Sequence, residues 1–459
     1  MTSDPTPFLE GLTDAQRQAV LATRGRVVIH AGAGTGKTTT IVRRTAWAVA
    51  SGATDPARVL LVTFTEKAAT TLAERIAALR VGAVTARTVH SAAWAQLRHF
   101  WPSAYPGTPV PVVVGDPFRI VARIARRLPG GYAYTPAGDL LDEIAWARSR
   151  GLTPATYASG LGTREPPIPP DLVARVFRDY GAALRREGAI DFHDMLAMTD
   201  ELLETHPEAL EAVHRRYAWF SVDEYQDTSP AQQRLIDRWV GDRDDLCVVG
   251  DDAQTIHTWA GAEAGYLTGF AARHPDALEI HLRENHRSTP AILALADRAL
   301  GRSADRGLIA TRDPGHAPEV RTYVDDRAEV GATVGAIRTL IAAGTLADRI
   351  AVLVRINAQL LPFELALRAG GIAANVRGRG FFARAEIRDA MDRLDRERLH
   401  ERGSALADAV GQRMEPDDPT QRGQEARERQ AAIGAFTDLV RTLTIEAPDL
   451  DAAGLVAAL

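Results

Sequence analysis

Apolar residues gather first in four short runs: residues 26–30 (Arg-Val-Val-Ile-His), 59–64 (Val-Leu-Leu-Val-Thr-Phe), 218–222 (Ala-Trp-Phe-Ser-Val) and 246–249 (Leu-Cys-Val-Val). Each is followed by a polar or glycine-containing turn and then a helical pattern. Short runs that stay apolar without alternating predict strands buried on both faces, the habit of a parallel sheet. Between the second and third runs, residues from about 95 to 215 are dense in Ala, Leu and Arg at helical spacing, as in Phe118-Arg-Ile-Val-Ala-Arg-Ile-Ala-Arg-Arg-Leu128. This stretch predicts a helical domain inserted into an α/β core. A second alternation begins near residue 279, with strands expected at Glu279–Leu282, Glu319–Tyr323 and Ile350–Val354. Helices are expected after Thr289-Pro290, through 327–343 and after the last strand, giving a second α/β domain. From about residue 384 the pattern becomes charged, Ala-rich helix, broken by Glu415-Pro-Asp-Asp-Pro419.

Composition narrows this picture. With 459 residues, 46% hydrophobic and 25% charged, the chain has material for several globular domains. No apolar run reaches the roughly 18 to 20 residues of a membrane helix. The opening Met1-Thr2-Ser3-Asp4-Pro5 lacks the pattern of a secretory signal. The expected location is cytoplasmic, with no membrane partner. The single cysteine, Cys247, excludes an intramolecular disulfide and a cysteine zinc cluster, and reads as a buried, inert thiol. A net charge of −5 argues against holding nucleic acid by bulk positive charge, so any DNA contact is expected in a local groove.

The candidate chemistry begins directly after the first run, at Ala31-Gly32-Ala33-Gly34-Thr35-Gly36-Lys37-Thr38, followed by Thr39. Glycines let successive backbone N–H groups approach phosphates, a helix N-terminus adds favourable partial charge, Lys37 reaches the β- and γ-phosphates of ATP, and Thr38 ligates Mg2+. After the third run comes Asp223-Glu224. In isolation an Asp-Glu pair is a solvated turn. At the end of a strand in the same sheet as a phosphate loop, Asp223 reads as a second Mg2+ ligand and Glu224 as the group that polarises the attacking water.

With these motifs in hand, the chain resembles the UvrD/Rep/PcrA-type superfamily 1 helicases along essentially its whole length. The resemblance implies an α/β fold: a RecA-like P-loop NTPase motor domain with a helical insertion, followed by a partial second RecA-like domain. The expected bounds are 1–94 with 216–278 for the ATP-binding domain, 95–215 for the insertion, 279–389 for the partial second motor domain and 390–459 for the start of its own insertion. Leu12-Thr13-Asp14-Ala15-Gln16 looks like the family's adenine-reading segment, with Gln16 offering an amide donor and acceptor. Asn285-His286-Arg287-Ser288 looks like the motif whose arginine meets the γ-phosphate; His286, which stands where Tyr is common, would stack on adenine.

Val62-Thr63-Phe64-Thr65 and Arg87-Thr88-Val89-His90-Ser91 resemble segments that contact DNA, which makes Thr63, Phe64 and His90 candidate DNA residues. Read alone, Phe64 is a core residue and His90 a polar cap. Gly250-Asp251-Asp252-Ala253-Gln254-Thr255-Ile256-His257-Thr258-Trp259-Ala260 is the most diagnostic stretch, with Gln254 as γ-phosphate sensor and His257 and Trp259 as base-stacking groups. His257 replaces a frequent Tyr and Ala260 a frequent Arg; for Trp259 the competing reading is an interdomain core residue. The basic run Arg377–Arg384 mixes guanidinium groups with aromatics and reads as a solvated surface turn at least as readily as a duplex contact.

The family's later His/Lys/Gly/Leu/Glu-containing and Thr-Arg-Ala-ending motifs are not found in residues 390–459. The expectation is a helicase truncated before them, with a complete short protein as the alternative. What the resemblance implies is Mg-ATP-driven 3′ to 5′ translocation on single-stranded DNA, action at single-strand/duplex junctions, a role in repair or replication restart, and DNA-repair protein partners. Two further readings stay open: an ATP-gated DNA- or partner-binding module with little turnover, and a small-molecule kinase.

Overall fold

The computed structural model describes residues 6–258, 261–302, 307–376, 385–397, 401–414, 423–452 and 454–455. Six strands form one parallel sheet: β1 (Val27–Ala31), β2 (Val59–Thr63), β3 (Thr85–Thr88), β4 (Trp219–Val222), β5 (Leu246–Gly250) and β6 (Leu278–Leu282). Their order is β3-β2-β4-β5-β1-β6.

Strand side chains alternate between faces, and here both faces are covered. Val28, Leu60, Val62 and Val248 pack on one side with α4 (Val89–Ala104), α5 (Phe192–Thr205) and α6 (Pro230–Val240), through residues such as Leu97, Leu196, Leu202, Leu235 and Trp239. Val27, Ile29, Leu61, Cys247 and Val249 pack on the other with α1 (Asp14–Leu21), α2 (Lys37–Ala50) and α3 (Glu66–Ala78). Each such aliphatic side chain contributes about 1.5–3 kcal/mol by burial. Cys247 is fully buried, and burial pushes its thiol pKa up, as expected of an inert thiol.

Two strand expectations change. Leu278–Leu282 does not open a second sheet: it pairs with β1 as the edge strand of the first, with Val28 opposite Glu279 and His30 opposite His281. The stretches at 319–323 and 350–354 are not strands. Val320 is 83% exposed and Leu353 92% exposed, and strand character needs a hydrogen-bonded neighbour that local sequence cannot supply.

The chain divides into two compact units, one of Met1–Ile120, Leu141–Thr163 and Ala174–Glu319, the other of Val121–Leu140, Arg164–Val173 and Val320–Leu459. This division cuts through the stretch read as a helical insertion and keeps residues 279–319 with the six-stranded core. In the second unit, Ile387, Leu394, Leu406, Val410, Phe436 and Val440 share a core among the helices Ala385–Glu397, Gly403–Met414 and Gln424–Glu446. Asp139 caps the last of these, its two carboxylate oxygens accepting from the amides of Glu425 (2.8 Å) and Ala426 (2.9 Å). The break read at 415–419 and the basic run 377–384 lie outside the described residues.

Candidate nucleotide and DNA site

β1 ends where the phosphate loop begins, and α2 starts at Lys37 with Gly36 as its N-cap in the left-handed region, φ 86°. The free amides of that helix start face the loop, a setting that favours phosphate. Two glycines are required by contact as well as by φ. A Cβ on Gly34 (φ 78°) would meet Arg287 Cβ at 2.7 Å and Asn285 Nδ2 at 2.8 Å; one on Gly36 would meet Gln16 Nε2 at 2.6 Å.

Those contacts show what gathers around the loop. Gln16 Nε2 donates to the Thr35 carbonyl at 2.9 Å, while its Oε1 accepts from the Thr13 amide at 3.1 Å in the capping box of α1. These bonds use one N–H and one lone pair of the amide proposed to read adenine and fix its orientation, leaving a second of each. Asn285 Nδ2 donates to the Ala33 carbonyl at 2.5 Å, its Oδ1 accepts from the Arg287 and Ser288 amides, and the His286 amide donates to the Gly34 carbonyl at 3.0 Å. Arg287 and His286 are exposed on this segment, with His286 Nδ1 2.9 Å from Thr311 Oγ1. Of the remaining loop residues, Ala31 and Gly32 are buried, Ala33 and Thr39 are exposed, and Thr38 is partly buried on the first turn of α2.

At the end of β4, Lys37 Nζ pairs with Glu224 Oε2 at 2.9 Å. Glu224 carries φ 52°, one of two described non-glycine residues with positive φ, a sparsely populated conformation that recurs at functional sites. Gln226 Nε2 donates to the same Glu224 oxygen at 2.8 Å, and Gln226 Oε1 accepts from the Asp251 amide at 3.1 Å. Gln254 Nε2 donates to Asp251 Oδ2 at 2.7 Å, and Arg302 reaches Asp251 Oδ1 at 3.4 Å. A continuous polar chain thus runs from Lys37 through Glu224, Gln226 and Asp251 to Gln254. Sequence reading did not single out Gln226, Asp251, Asn285 or Arg302; the legible signal was their place inside motifs already noticed, at least for the first three.

Asp223 is buried, and burial followed by the neighbouring Glu224 pushes its pKa up to about 6 against the pull of Lys37. A carboxylate held this way favours a cation, and hard oxygen donors such as the Asp223 carboxylate and Thr38 hydroxyl suit Mg2+.

Among the DNA candidates, Phe64 stacks on His257 with ring centroids 5.1 Å apart and 22° between planes. Neither is a core residue: Phe64 is half-buried and His257 partly exposed. Thr63 is buried at the end of β2, with a hydroxyl that has no hydrogen-bond partner among the described residues. His90 lies on the first turn of α4, edge-on to the exposed ring of Phe192 at 5.9 Å. Trp259 lies outside the described residues.

Two expected outcomes follow from this geometry. Asn285→Ala unpairs one carbonyl and two amides, and should cost about 1–3 kcal/mol in unfolding free energy and raise KM for ATP, readable by denaturant melts and steady-state kinetics. For His90, burial and then His193 lower the pKa to about 4. The unfolded chain takes up that proton near pH 6.5 and the folded one only near 4. The stability this residue contributes is therefore full above pH 6.5 and is lost as pH falls toward 4, by roughly 3 kcal/mol. His90→Asn should flatten that part of the stability profile in calorimetry between pH 7 and 4.5.

A parallel sheet with a phosphate loop after β1 and paired acids after the strand two places away defines a RecA-like P-loop nucleotide-binding core. The chain belongs to the UvrD/Rep helicase family: the UvrD/REP helicase N-terminal domain matches residues 12–275 and the UvrD-like helicase C-terminal domain matches residues 280–430. It is 40% identical to the ATP-dependent DNA helicase UvrD2 of Mycobacterium tuberculosis, over 99% of this chain and 68% of that protein. It is also 30% identical to the ATP-dependent DNA helicase PcrA of Bacillus subtilis, over 84% of this chain and 53% of that protein, and 30% identical to DNA helicase II of Escherichia coli, over 85% and 55%. Among the described residues no helix is long and apolar enough to cross a membrane.

Proposed function

We propose that this chain is an ATP-dependent DNA helicase that hydrolyses Mg-ATP to move on single-stranded DNA, in the 3′ to 5′ direction, and to open duplex at single-strand/duplex junctions during repair or replication restart, alongside repair proteins. The observation that carries the reading is the polar chain Lys37–Glu224–Gln226–Asp251–Gln254, which joins phosphate loop, hydrolytic acid and the loop that bears His257.

Lys37 and Glu224 neutralise each other as an ion pair at 2.9 Å. A γ-phosphate offers Lys37 a stronger anionic partner, which frees the Glu224 carboxylate to accept a proton from an attacking water. Gln226 keeps Glu224 oriented while it does so, and its other end holds the Asp251 amide, so the state of the acid is felt in the Gln254 loop. Thr38 and Asp223 would hold Mg2+, which neutralises charge on the phosphates. Arg287, on a segment tied to Ala33 and Gly34, would meet charge developing on the γ-phosphate. The Phe64–His257 stack offers a ring pair into which a base can insert without sequence reading.

The test is Mg2+-dependent ATP turnover of this chain with and without single-stranded DNA, together with displacement of a strand from a tailed duplex of each polarity. Strong stimulation and unwinding from a 3′ tail support the whole reading. Tight binding of ATP and DNA with almost no turnover would replace it by the ATP-gated DNA-binding module.

A further inference from the structure

The parallel pairing of β1 with β6 sets His30 directly opposite His281, and Glu279, two residues before His281, on the same face of the edge strand. Their functional atoms converge. His30 Nε2 is 3.0 Å and His281 Nε2 3.4 Å from the same oxygen, Glu279 Oε1, and all three ligand atoms lie within 4.8 Å of one another. Bonds of about 2.0–2.2 Å to nitrogen and oxygen in a tetrahedral zinc site place neighbouring ligand atoms roughly 3.3–3.5 Å apart. The His281–Glu279 separation matches one edge of such a tetrahedron, and the shorter His30–Glu279 separation, a hydrogen bond here, would open by a few tenths of an ångström to match a second. Among the described residues this is the one group of three or more His, Cys, Asp or Glu side chains so disposed.

We propose that His30, Glu279 and His281 form a binding site for a borderline divalent transition metal of the Zn2+ class, separate from the Mg2+ held at the nucleotide. Imidazole nitrogens select Zn2+ over Mg2+, which keeps to oxygen donors. Three protein ligands leave a fourth position for water. His30 and His281 line a cavity of about 770 Å3 that also reaches Gly32, Asp252 and Arg302 and has room for that water. The imidazoles stand stacked, centroids 4.7 Å apart and 14° between planes, so binding requires the rings to turn until both lone pairs point at one centre. His281 and Glu279 are exposed and His30 is partly buried, which gives the ion a path in and the side chains room to turn.

The position gives the site a consequence. His30 is followed immediately by the phosphate loop, and β6 leads within three residues to Asn285, whose side chain holds Ala33. An ion bridging β1 and β6 would staple the strand that leads into the phosphate loop to the strand that leads to Asn285. The inference does not depend on DNA translocation, since its test reads metal alone.

The experiment is calorimetric titration of the untagged, chelator-treated chain with Zn2+, paired with Co2+ absorption in the visible region, for the wild type, His281→Ala and Glu279→Gln. The expected result is one saturable equivalent with visible Co2+ ligand-field bands, at least tenfold weaker in both variants, and a melting temperature that rises with Zn2+ only in the wild type. Both substitutions are on exposed positions of an edge strand, and a circular dichroism melt without metal shows that each variant is folded. Absence of saturable binding, or binding equal in all three proteins, overturns the proposal.

Discussion

Glu224→Gln is expected to bind ATP as tightly as the wild type and to lose about 10² to 10⁴ in turnover, because the amide keeps the shape of the side chain but cannot take a proton from water. Lys37→Ala is the paired expectation with the opposite signature. It removes a charge-assisted contact with the phosphates worth about 1.5–3 kcal/mol, so nucleotide affinity should fall roughly 10- to 150-fold. Glu224→Gln also releases Lys37 from its 2.9 Å ion pair, so the lysine stays available to phosphate in that variant. Equilibrium binding of a fluorescent ATP analogue and single-turnover hydrolysis separate the two. Equal loss of binding in both variants would remove the assignment of Glu224 to water activation.

Arg287→Ala is expected to lower turnover by about 10³ to 10⁵, the range typical for loss of an arginine that meets the transferring phosphoryl group. Alanine retains the Cβ that lies against Gly34, and the bonds from this segment to the loop, from Asn285 Nδ2 and from the His286 amide, do not involve the guanidinium. The substitution therefore removes charge without removing the scaffold. The loss should sit in kcat with KM for ATP changed little. A rise in KM at constant kcat would make Arg287 a ground-state binding residue instead.

Much of the core was legible because its elements are local. Val27–Ile29, Leu60–Val62 and Leu246–Val249 are continuous apolar runs, Trp219–Val222 is apolar but for Ser221, and each is buried in the sheet. The loop from Ala31 to Thr38 and the Asp223-Glu224 pair are contiguous, so their chemistry can be recognised without knowing where the rest of the chain goes. The apolar run Ile350–Val354 has the same local character and is not a strand, nor is the more polar 319–323, while Leu278–Leu282, assigned by pattern to a second sheet, completes the first. Apolar composition states that a segment can be extended, and only a neighbouring strand makes it one.

Sequence alone determined the class of fold, the phosphate loop, the paired acids and the family, since each rests on residues adjacent in the chain whose spacing carries the chemistry. The tertiary structure decided that Gln226 spans Glu224 and Asp251, that Asn285 holds Ala33 from 252 positions away, that Phe64 meets His257, and that His30 shares one carboxylate oxygen with His281. Those contacts depend on strand order and register, and shifting β6 by one residue against β1 would turn Glu279 and His281 to the opposite face while leaving every local pattern unchanged.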